Sequence, residues 1–279
     1  MKKTFKYIFA LLFSTITFTS CDEDTINQLL GEGDTVEALK QALSIGAEAA
    51  SNELGKEDGY LNDSIVRIAM PSEADAVFDV VNALQKNEAG RTILKALDID
   101  EKLESTMTTL INRAAEDAAP KSISIFKSAI TGMSIADGKN ILFGANNAAT
   151  TYLHDNTYSG LVNAFNPTIT ESLGNVRFGG YDANQAWEAV SNIYNKITDY
   201  KASSTGKLAL AALKVADKTT YNKIDAIQAV NTNLADYVTG KALDGLFSKV
   251  AVKELDIRTN AAARTTDLLK KVFGQLDEQ

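Results

Sequence analysis

Three polar residues of one predicted helix have the types and the spacing for acid–base chemistry or ligand binding. Asn112 and Glu116 are four positions apart, so they share one helix face and can exchange a hydrogen bond, and Arg113 lies one position further round. A carboxylate beside a guanidinium can act as a general acid or base without histidine or metal. The same residues, joined by Lys127, can instead form a partly buried ion network that holds helices in register. We favour the network and keep ligand binding or catalysis as the alternative.

Two other polar groupings have simpler interpretations. Arg264 and Asp267 are three positions apart, which favours an ion pair on a helix surface over a ligand site. Segment 57–63 gathers oxygen-bearing side chains around Gly59, as a calcium loop would, but it lacks the residue order and the late glutamate of an EF-hand. We therefore predict that segment 57–63 is a surface turn.

The composition gives no support for a metal ion, a cofactor or nucleophilic catalysis. The chain has 279 residues with one His and one Cys, and His154 has no second imidazole or thiol to join it. Each Gly-Lys pair lacks the following Ser or Thr of a phosphate-binding loop, and no Gly-x-Ser-x-Gly motif is present. We predict no metal, no cofactor and no assigned catalytic residue.

The N-terminus has the pattern of a bacterial export signal. Three lysines within the first six residues are followed by an uncharged run from Tyr7 to Phe18. The run ends in Phe18-Thr19-Ser20-Cys21, which resembles the lipobox of bacterial lipoprotein precursors. In that family a signal peptidase cleaves before the cysteine, whose sulfur carries a diacylglycerol. The resemblance implies a signal peptide over residues 1–20 and a lipid-anchored Cys21, rather than a signal anchor or a secreted chain with an unpaired Cys.

The residues after Cys21 bear on where an anchored protein would lie. Residues 21–34 are acidic and form a predicted tether, and several acyl chains make a stable anchor. No later stretch reaches the 18 or more apolar residues that a membrane span requires. The run Asp22-Glu23-Asp24 resembles both an inner-membrane retention signal and a surface-export signal. We expect a protein of the bacterial cell envelope, with a preference for the outer membrane, on its periplasmic or surface face.

The charge of the chain argues against nucleic acid as a partner. There are 36 acidic and 28 basic residues, a formal net charge of −8. Three lysines and no acidic residue precede Cys21, so cleavage there makes the net charge three units more negative. The resulting field repels phosphate backbones and anionic lipid headgroups. The expected partners are the membrane, through the anchor, and an envelope protein or a small apolar ligand.

Apolar residues that recur every three or four positions predict helices along most of the chain. A helix is expected to start at Ser72 after Pro71, residues 202–206 are a predicted loop, and Asp244-Gly245 is a predicted turn. Four predicted helix starts carry a capping pattern: Asp34-x-x-Glu37, Ser134-x-x-Asp137, Thr168-x-x-Glu171 and Asp182-x-x-Gln185.

These patterns predict an all-α fold, a single multi-helix domain of about ten helices over residues 35–279. The strand candidates are confined to residues 65–70 and 176–178. Both are short enough to be extended linkers or one small two-stranded pair.

Three stretches carry a family resemblance: Asp58-Gly59-Tyr60-Leu61, Asn112-Arg113-Ala114-Ala115-Glu116 and Arg264-Thr265-Thr266-Asp267-Leu268-Leu269. Together they resemble a bacterial family of lipoprotein-type proteins known only as a domain of unknown function. The resemblance covers roughly residues 36–274 and supports the predicted fold and location. It implies no activity.

We therefore expect a lipid-anchored, non-enzymatic envelope protein that binds a protein partner or an apolar small molecule between its helices. The first alternative is a hydrolase or lyase that uses Glu116 and Arg113. The second is a purely structural lipoprotein without a ligand.

Overall fold

The computed structural model of the protein describes residues 32–86, 88–98 and 102–274. The predicted signal peptide, Cys21 and most of the tether lie outside the described residues. Within them the all-α prediction is confirmed, with one small two-stranded sheet. The helices are α1 (Glu32–Leu54), α2 (Ser72–Leu84), α3 (Glu88–Leu97), α4 (Leu103–Ala118), α5 (Ser122–Thr131), α6 (Ile135–Leu142), α7 (Ala148–Asn175), α8 (Ala183–Ala202), α9 (Ser204–Ala216), α10 (Lys218–Ala226), α11 (Leu234–Thr259) and α12 (Asp267–Phe273), with short 3₁₀ turns at Ala119–Lys121 and Ala261–Ala263.

Two of the predicted capping boxes are confirmed. The Ser134 and Asp182 side chains each accept the backbone N–H of the third helical residue, and the Asp137 and Gln185 side chains accept the N–H of the capping residue in return. Helix α2 begins at Ser72, directly after Pro71, as predicted. These local signals therefore determine where α2, α6 and α8 begin.

The other two capping predictions are wrong because both patterns lie inside longer helices. Helix α1 already begins at Glu32, two residues before Asp34. Thr168 lies within α7, where its hydroxyl donates to the Ala164 carbonyl one turn earlier. Helix α7 also continues through Pro167, so neither the proline nor the capping pattern interrupts it.

The predicted loop 202–206 and the predicted turn at Asp244-Gly245 are also wrong. Only Ser203 separates α8 from α9, and its hydroxyl accepts the N–H of Gly206 in the first turn of α9. Asp244 and Gly245 lie within α11. The sequence patterns gave no start for α3, α9 or α10.

One of the two strand candidates forms the small sheet. Strand β1 (Arg177–Phe178) pairs antiparallel with β2 (Tyr181–Asp182), across a turn at Gly179 and Gly180, which both have positive φ. Segment 65–70 is not a strand, although its residues alternate between exposed and buried as in a half-buried strand. Its backbone is paired by helix side chains instead, as described below.

The long helices α7 and α11 pack along each other at the centre of the molecule. Helix α4 packs on α7, and α1 packs on α11, while α8 packs on α4 and also contacts α7. A second layer of short helices, α9 and α10, contacts α8 and α2. Among the described helices there is no stretch long and apolar enough to cross a membrane.

Candidate functional site

Asn112 of α4 binds the backbone of the connection between α1 and α2. Its side-chain oxygen accepts the N–H of Ile68 at 2.8 Å, and its side-chain nitrogen donates to the carbonyl of the same residue at 3.0 Å. The nitrogen also donates to the Thr108 carbonyl at 2.8 Å. Asn112 and Ile68 are both buried. One side chain thus replaces the neighbouring strand that the segment around Ile68 would otherwise need.

Glu116 binds the same connection one helical turn further on. Its Oε1 accepts the backbone N–H groups of Tyr60 at 3.1 Å and Leu61 at 3.2 Å, while Oε2 accepts from Arg113 Nη1 at 2.5 Å. The Glu116 side chain is only 4% exposed. Both oxygens of this buried carboxylate are therefore occupied by groups of the protein itself.

Arg113 joins the buried carboxylate to the surface of the connection. Its Nη2 donates to Asp58 at 2.6 Å and to Glu57 at 3.3 Å, and Asp58 has a positive φ of 68°. Partial burial alone would lower the pKa of Arg113, but the hydrogen bonds that Arg113 donates to Glu116 and then to Asp58 outweigh burial and raise the pKa. The predicted surface turn at 57–63 is therefore tied to α4 by its backbone and its side chains.

Tyr60 connects this group to α11. The ring is fully buried, and its hydroxyl donates to the Ala242 carbonyl at 2.8 Å. Burial, followed by the negative charge of Glu116, raises the pKa of Tyr60. Gly245 allows this close approach, because a Cβ at that position would lie 2.9 Å from Tyr60 Cε1 and 3.2 Å from the Cβ of Val66.

The structure separates residues that the sequence analysis had grouped. Asn112 and Glu116 share a face of α4, but each binds backbone groups of the connection and they do not bind each other. Lys127 is exposed on α5 and is not among the described partners of Glu116. The ion network around Glu116 therefore forms without Lys127.

The prediction of a surface pair at Arg264 and Asp267 fails at Arg264. The Arg264 side chain is buried, and it donates to the carbonyls of Ile257 and Arg258 at the end of α11. Asp267 is exposed in the first turn of α12, 3.5 Å from the Lys270 ammonium. Arg264 is drawn inward because the last carbonyls of a buried helix end need donors.

Glu254 of α11 is a buried acid that the sequence analysis missed. Its carboxylate accepts the N–H groups of Ala149 and Thr150 at 3.0 and 2.8 Å, at the start of α7. The Thr150 hydroxyl and Arg258 Nε also donate to it, at 2.8 and 3.0 Å. A carboxylate at a helix N-terminus satisfies free amides and meets the positive end of the helix dipole. The four-residue spacing of Glu254 and Arg258 in the sequence could have predicted that these two side chains pair.

Arg258 extends this arrangement to α6. Its Nη1 and Nη2 donate to the carbonyls of Leu142 and Ile141, at 3.1 and 2.7 Å. Glu254, Arg258 and Arg264 thus bind the ends of α7, α6 and α11 respectively. The buried charges of α11 serve helix termini and one another.

Lys249, also on α11, forms a third charged group. Its ammonium contacts Glu53 at 2.8 Å and also Asp63, and the Lys249 side chain is 12% exposed. Burial acts to lower the pKa of Lys249, but the hydrogen bonds that its ammonium donates to Asp63 and Glu53 raise this pKa overall. Hydrogen bonds from Lys249 in turn lower the pKa of both carboxyl groups. This group holds the start of the connection against α11.

A small cavity adjoins Glu254 and Arg258 between α1, α11 and α12. It has a volume of about 20 Å³ and is lined mainly by apolar side chains such as Leu39, Leu43 and Phe273. That volume holds roughly one water molecule, whereas small-molecule sites are on the order of 300–1,000 Å³. The cavity as shaped therefore has no room for an apolar ligand.

His154 is placed by packing and by a neighbouring acid. Its ring centroid lies 4.9 Å from that of Phe247 and 5.0 Å from that of Tyr158, and its Nδ1 is 3.3 Å from Asp155. In the part of the chain that the structure describes, no three His, Cys, Asp or Glu side chains are grouped as metal ligands. The described polar groups thus define an all-helical protein whose buried charges bind its own backbone.

The family model described as "Protein of unknown function (DUF4197)" matches residues 29–274 of the chain. The chain belongs to this family. No curated protein and no solved structure matches it.

Proposed function

We propose that the protein is a lipid-anchored, non-enzymatic protein of the bacterial envelope, whose helical body is a binding or interaction module. The anchor is inferred from Cys21 and the residues before it. The proposal that the protein is not an enzyme rests on the hydrogen bonds of Glu116. Both of its carboxylate oxygens accept hydrogen bonds from the protein itself. A general acid or base must instead reach a substrate proton.

The contacts of Arg113 also support a binding module rather than an enzyme. The guanidinium of Arg113 is divided between Glu116 and Asp58, at 2.5 and 2.6 Å. An arginine used for catalysis or anion binding would present its donors to open space. The small volume of the cavity near Glu254 argues against an apolar ligand at that place.

Fractionation of cells that express the full chain tests the anchor. The wild-type protein should remain with the membranes after a high-salt wash, and Cys21→Ala should move to the soluble fraction. Thr25→Ala, a neighbouring change that keeps the cysteine, should behave as the wild type. Firm membrane retention of Cys21→Ala would contradict the anchor, and the intact mass of the wild type should include the acyl chains.

Glu116→Gln separates a structural role from chemistry. A structural carboxylate predicts a lower melting temperature by about 2–10 °C, because a loss of roughly 1–3 kcal/mol is expected when a buried charged partner is removed. Lys127→Gln is the control, and it should melt as the wild type does. An unchanged melting temperature of Glu116→Gln together with a lost cellular phenotype would favour the hydrolase or lyase alternative.

A further inference from the structure

Helix α9 exposes an apolar stripe that no part of the described chain covers. Leu208 is 76% exposed and Val215 is 90% exposed, and Ala211 lies between them with helical spacing. The opposite side of α9 is buried through Leu210 and Leu213. A helix that is apolar on both sides is normally enclosed on both sides, so a second surface is needed to cover this stripe.

The charge around the stripe is opposite to that of the whole protein. Residues 199–225 contain five lysines and three acidic residues, in a chain where acidic residues outnumber basic ones, and Lys201 and Lys223 pair with Asp225 and Asp79. Helix α9 itself has no acidic residue, and Lys207 and Lys214 are exposed along one edge of the stripe. One acid of this segment, Asp217, accepts the N–H and the hydroxyl of Thr220 at the start of α10.

We propose that α9 rests on the anionic phospholipid surface to which Cys21 is anchored, with Leu208 and Val215 in the headgroup region and Lys207 and Lys214 at the lipid phosphates. Lysines whose stems lie along apolar side chains and whose ammonium groups reach phosphates are typical of helices that lie at a membrane surface. The acidic remainder of the body then faces away from the bilayer, because the same lipid charge repels it.

The size of the stripe favours a membrane over a protein partner. Three small or medium side chains are far less than the roughly 800 Å² that each partner buries in a stable protein interface. A weak contact suffices at a bilayer, since an anchor gives the body a high effective concentration there. The chain between Cys21 and Glu32 can span at most about 40 Å, so the anchor keeps the body close to the bilayer. The proposed membrane contact of α9 rests on the proposed lipid anchor at Cys21.

Site-specific fluorescence of the anchored protein tests the proposal. The full chain, processed in its bacterial host, is prepared as Leu208→Cys, labelled with an environment-sensitive nitrobenzoxadiazole dye and reconstituted into vesicles of phosphatidylglycerol and phosphatidylcholine. We expect a blue shift and a several-fold rise in emission relative to pure phosphatidylcholine vesicles. The matched control is Val252→Cys, a 51% exposed position on α11, whose emission should be the same in both vesicles.

Charge reversal tests the role of the lysines. Lys207→Glu with Lys214→Glu should reduce the emission change at position 208 at least about tenfold, whereas Lys127→Glu, an exposed lysine of α5, should leave it unchanged. Circular dichroism confirms that each variant is folded. Equal emission at positions 208 and 252, or no dependence on phosphatidylglycerol, would overturn the proposal. A disulfide between position 208 and a soluble acidic protein in the absence of lipid would also overturn it.

The number of dyes per chain keeps this test separate from the anchor. One dye on Leu208→Cys means that Cys21 is blocked, as lipidation requires. Two dyes mean that Cys21 is free and that the anchor proposal fails. With one dye and no emission change, the anchor stands and the membrane contact alone is overturned.

Discussion

The side-chain amide of Asn112 makes a two-bond pair with the backbone of Ile68. The donor and the acceptor of one side chain meet the N–H and the carbonyl of one residue, at 2.8 and 3.0 Å, as a neighbouring strand would. One turn away, Glu116 accepts the N–H groups of Tyr60 and Leu61, in the turn at the start of the same connection. Helix α4 therefore acts as the backbone partner of an extended segment that has no sheet to join.

Asn112→Ala should be strongly destabilising. It leaves the N–H and the carbonyl of Ile68 buried without their partner, and we expect the free energy of unfolding to fall by about 2–4 kcal/mol, since each unpaired buried group costs roughly 1–3 kcal/mol. Urea denaturation measures this loss. Lys127→Ala should change the value by less than about 0.5 kcal/mol, as exposed substitutions do. A loss as small as that for Asn112→Ala would mean that water replaces the side chain.

Gly245→Ala and Gly240→Ala should have opposite effects although both glycines lie in α11. A methyl group at position 245 would meet the Tyr60 ring at 2.9 Å, whereas nothing lies within 4 Å of a methyl group at position 240. We expect a loss of about 1–3 kcal/mol at 245 from overpacking and a gain of about 0.5–1 kcal/mol at 240 from helix propensity. Equal thermal stability of the two variants would contradict the close packing of Tyr60 on α11.

Arg258→Met should be among the most damaging single changes in the body. It removes the donor to Ile141 and Leu142 and leaves Glu254 as a buried charge, at a cost of about 3–5 kcal/mol for the broken pair. A double-mutant cycle with Glu254→Gln should give a coupling energy of at least about 1 kcal/mol. Additive losses would mean that the two side chains act independently. The exposed pair of Asp267 and Lys270 provides the comparison, and Lys270→Met should be nearly neutral.

Stability should depend on pH through Lys249. Its hydrogen bonds lower the pKa of Glu53 and Asp63, so these acids contribute stability that is fully present above their unfolded pKa values of about 4.3 and 3.9. That stability is lost as the pH falls through the lower pKa values of the folded state. The raised pKa of Lys249 contributes stability below about pH 10 that is lost at more alkaline pH.

Lys249→Met should therefore flatten the acid limb of the stability curve. Urea titrations between about pH 3 and 6 should show a smaller decline of the unfolding free energy for the variant than for the wild type. Some decline should remain, because hydrogen bonds from Thr232, Ser134 and Thr220 lower the pKa of Glu73, Asp137 and Asp217. A slope identical to that of the wild type would show that Lys249 does not stabilise the two carboxylates.

Local signals in the sequence were sufficient for the helical class and for several helix ends. The capping boxes at Ser134 and Asp182 could be predicted from the sequence because a capping box involves only residues three positions apart. Thr168 has the same residue pattern, but it lies inside α7, where packing along α11 keeps the helix continuous through Pro167. Capping patterns state where a helix can begin, and long-range packing decides whether it does.

The partners of the candidate site were beyond the reach of spacing arguments. Asn112 and Glu116 were correctly placed on one helix face, but their ligands lie more than 40 residues away in the chain. Nothing local shows that segment 65–70 has no neighbouring strand. The spacing predicts Arg264 as a surface residue because its nearest opposite charge in sequence is Asp267, whereas its described acceptors are the carbonyls that end α11.

The helix-end contacts of α11 also set an order of events during synthesis. The amides at the start of α7 are bound by Glu254, which follows Ala149 by 105 residues, and the last carbonyls of α6 are bound by Arg258. At about 5–20 residues per second, a ribosome makes α7 roughly 5–20 s before it makes the side chain that caps it. The nascent chain therefore completes its fold only after α11 has emerged from the ribosome.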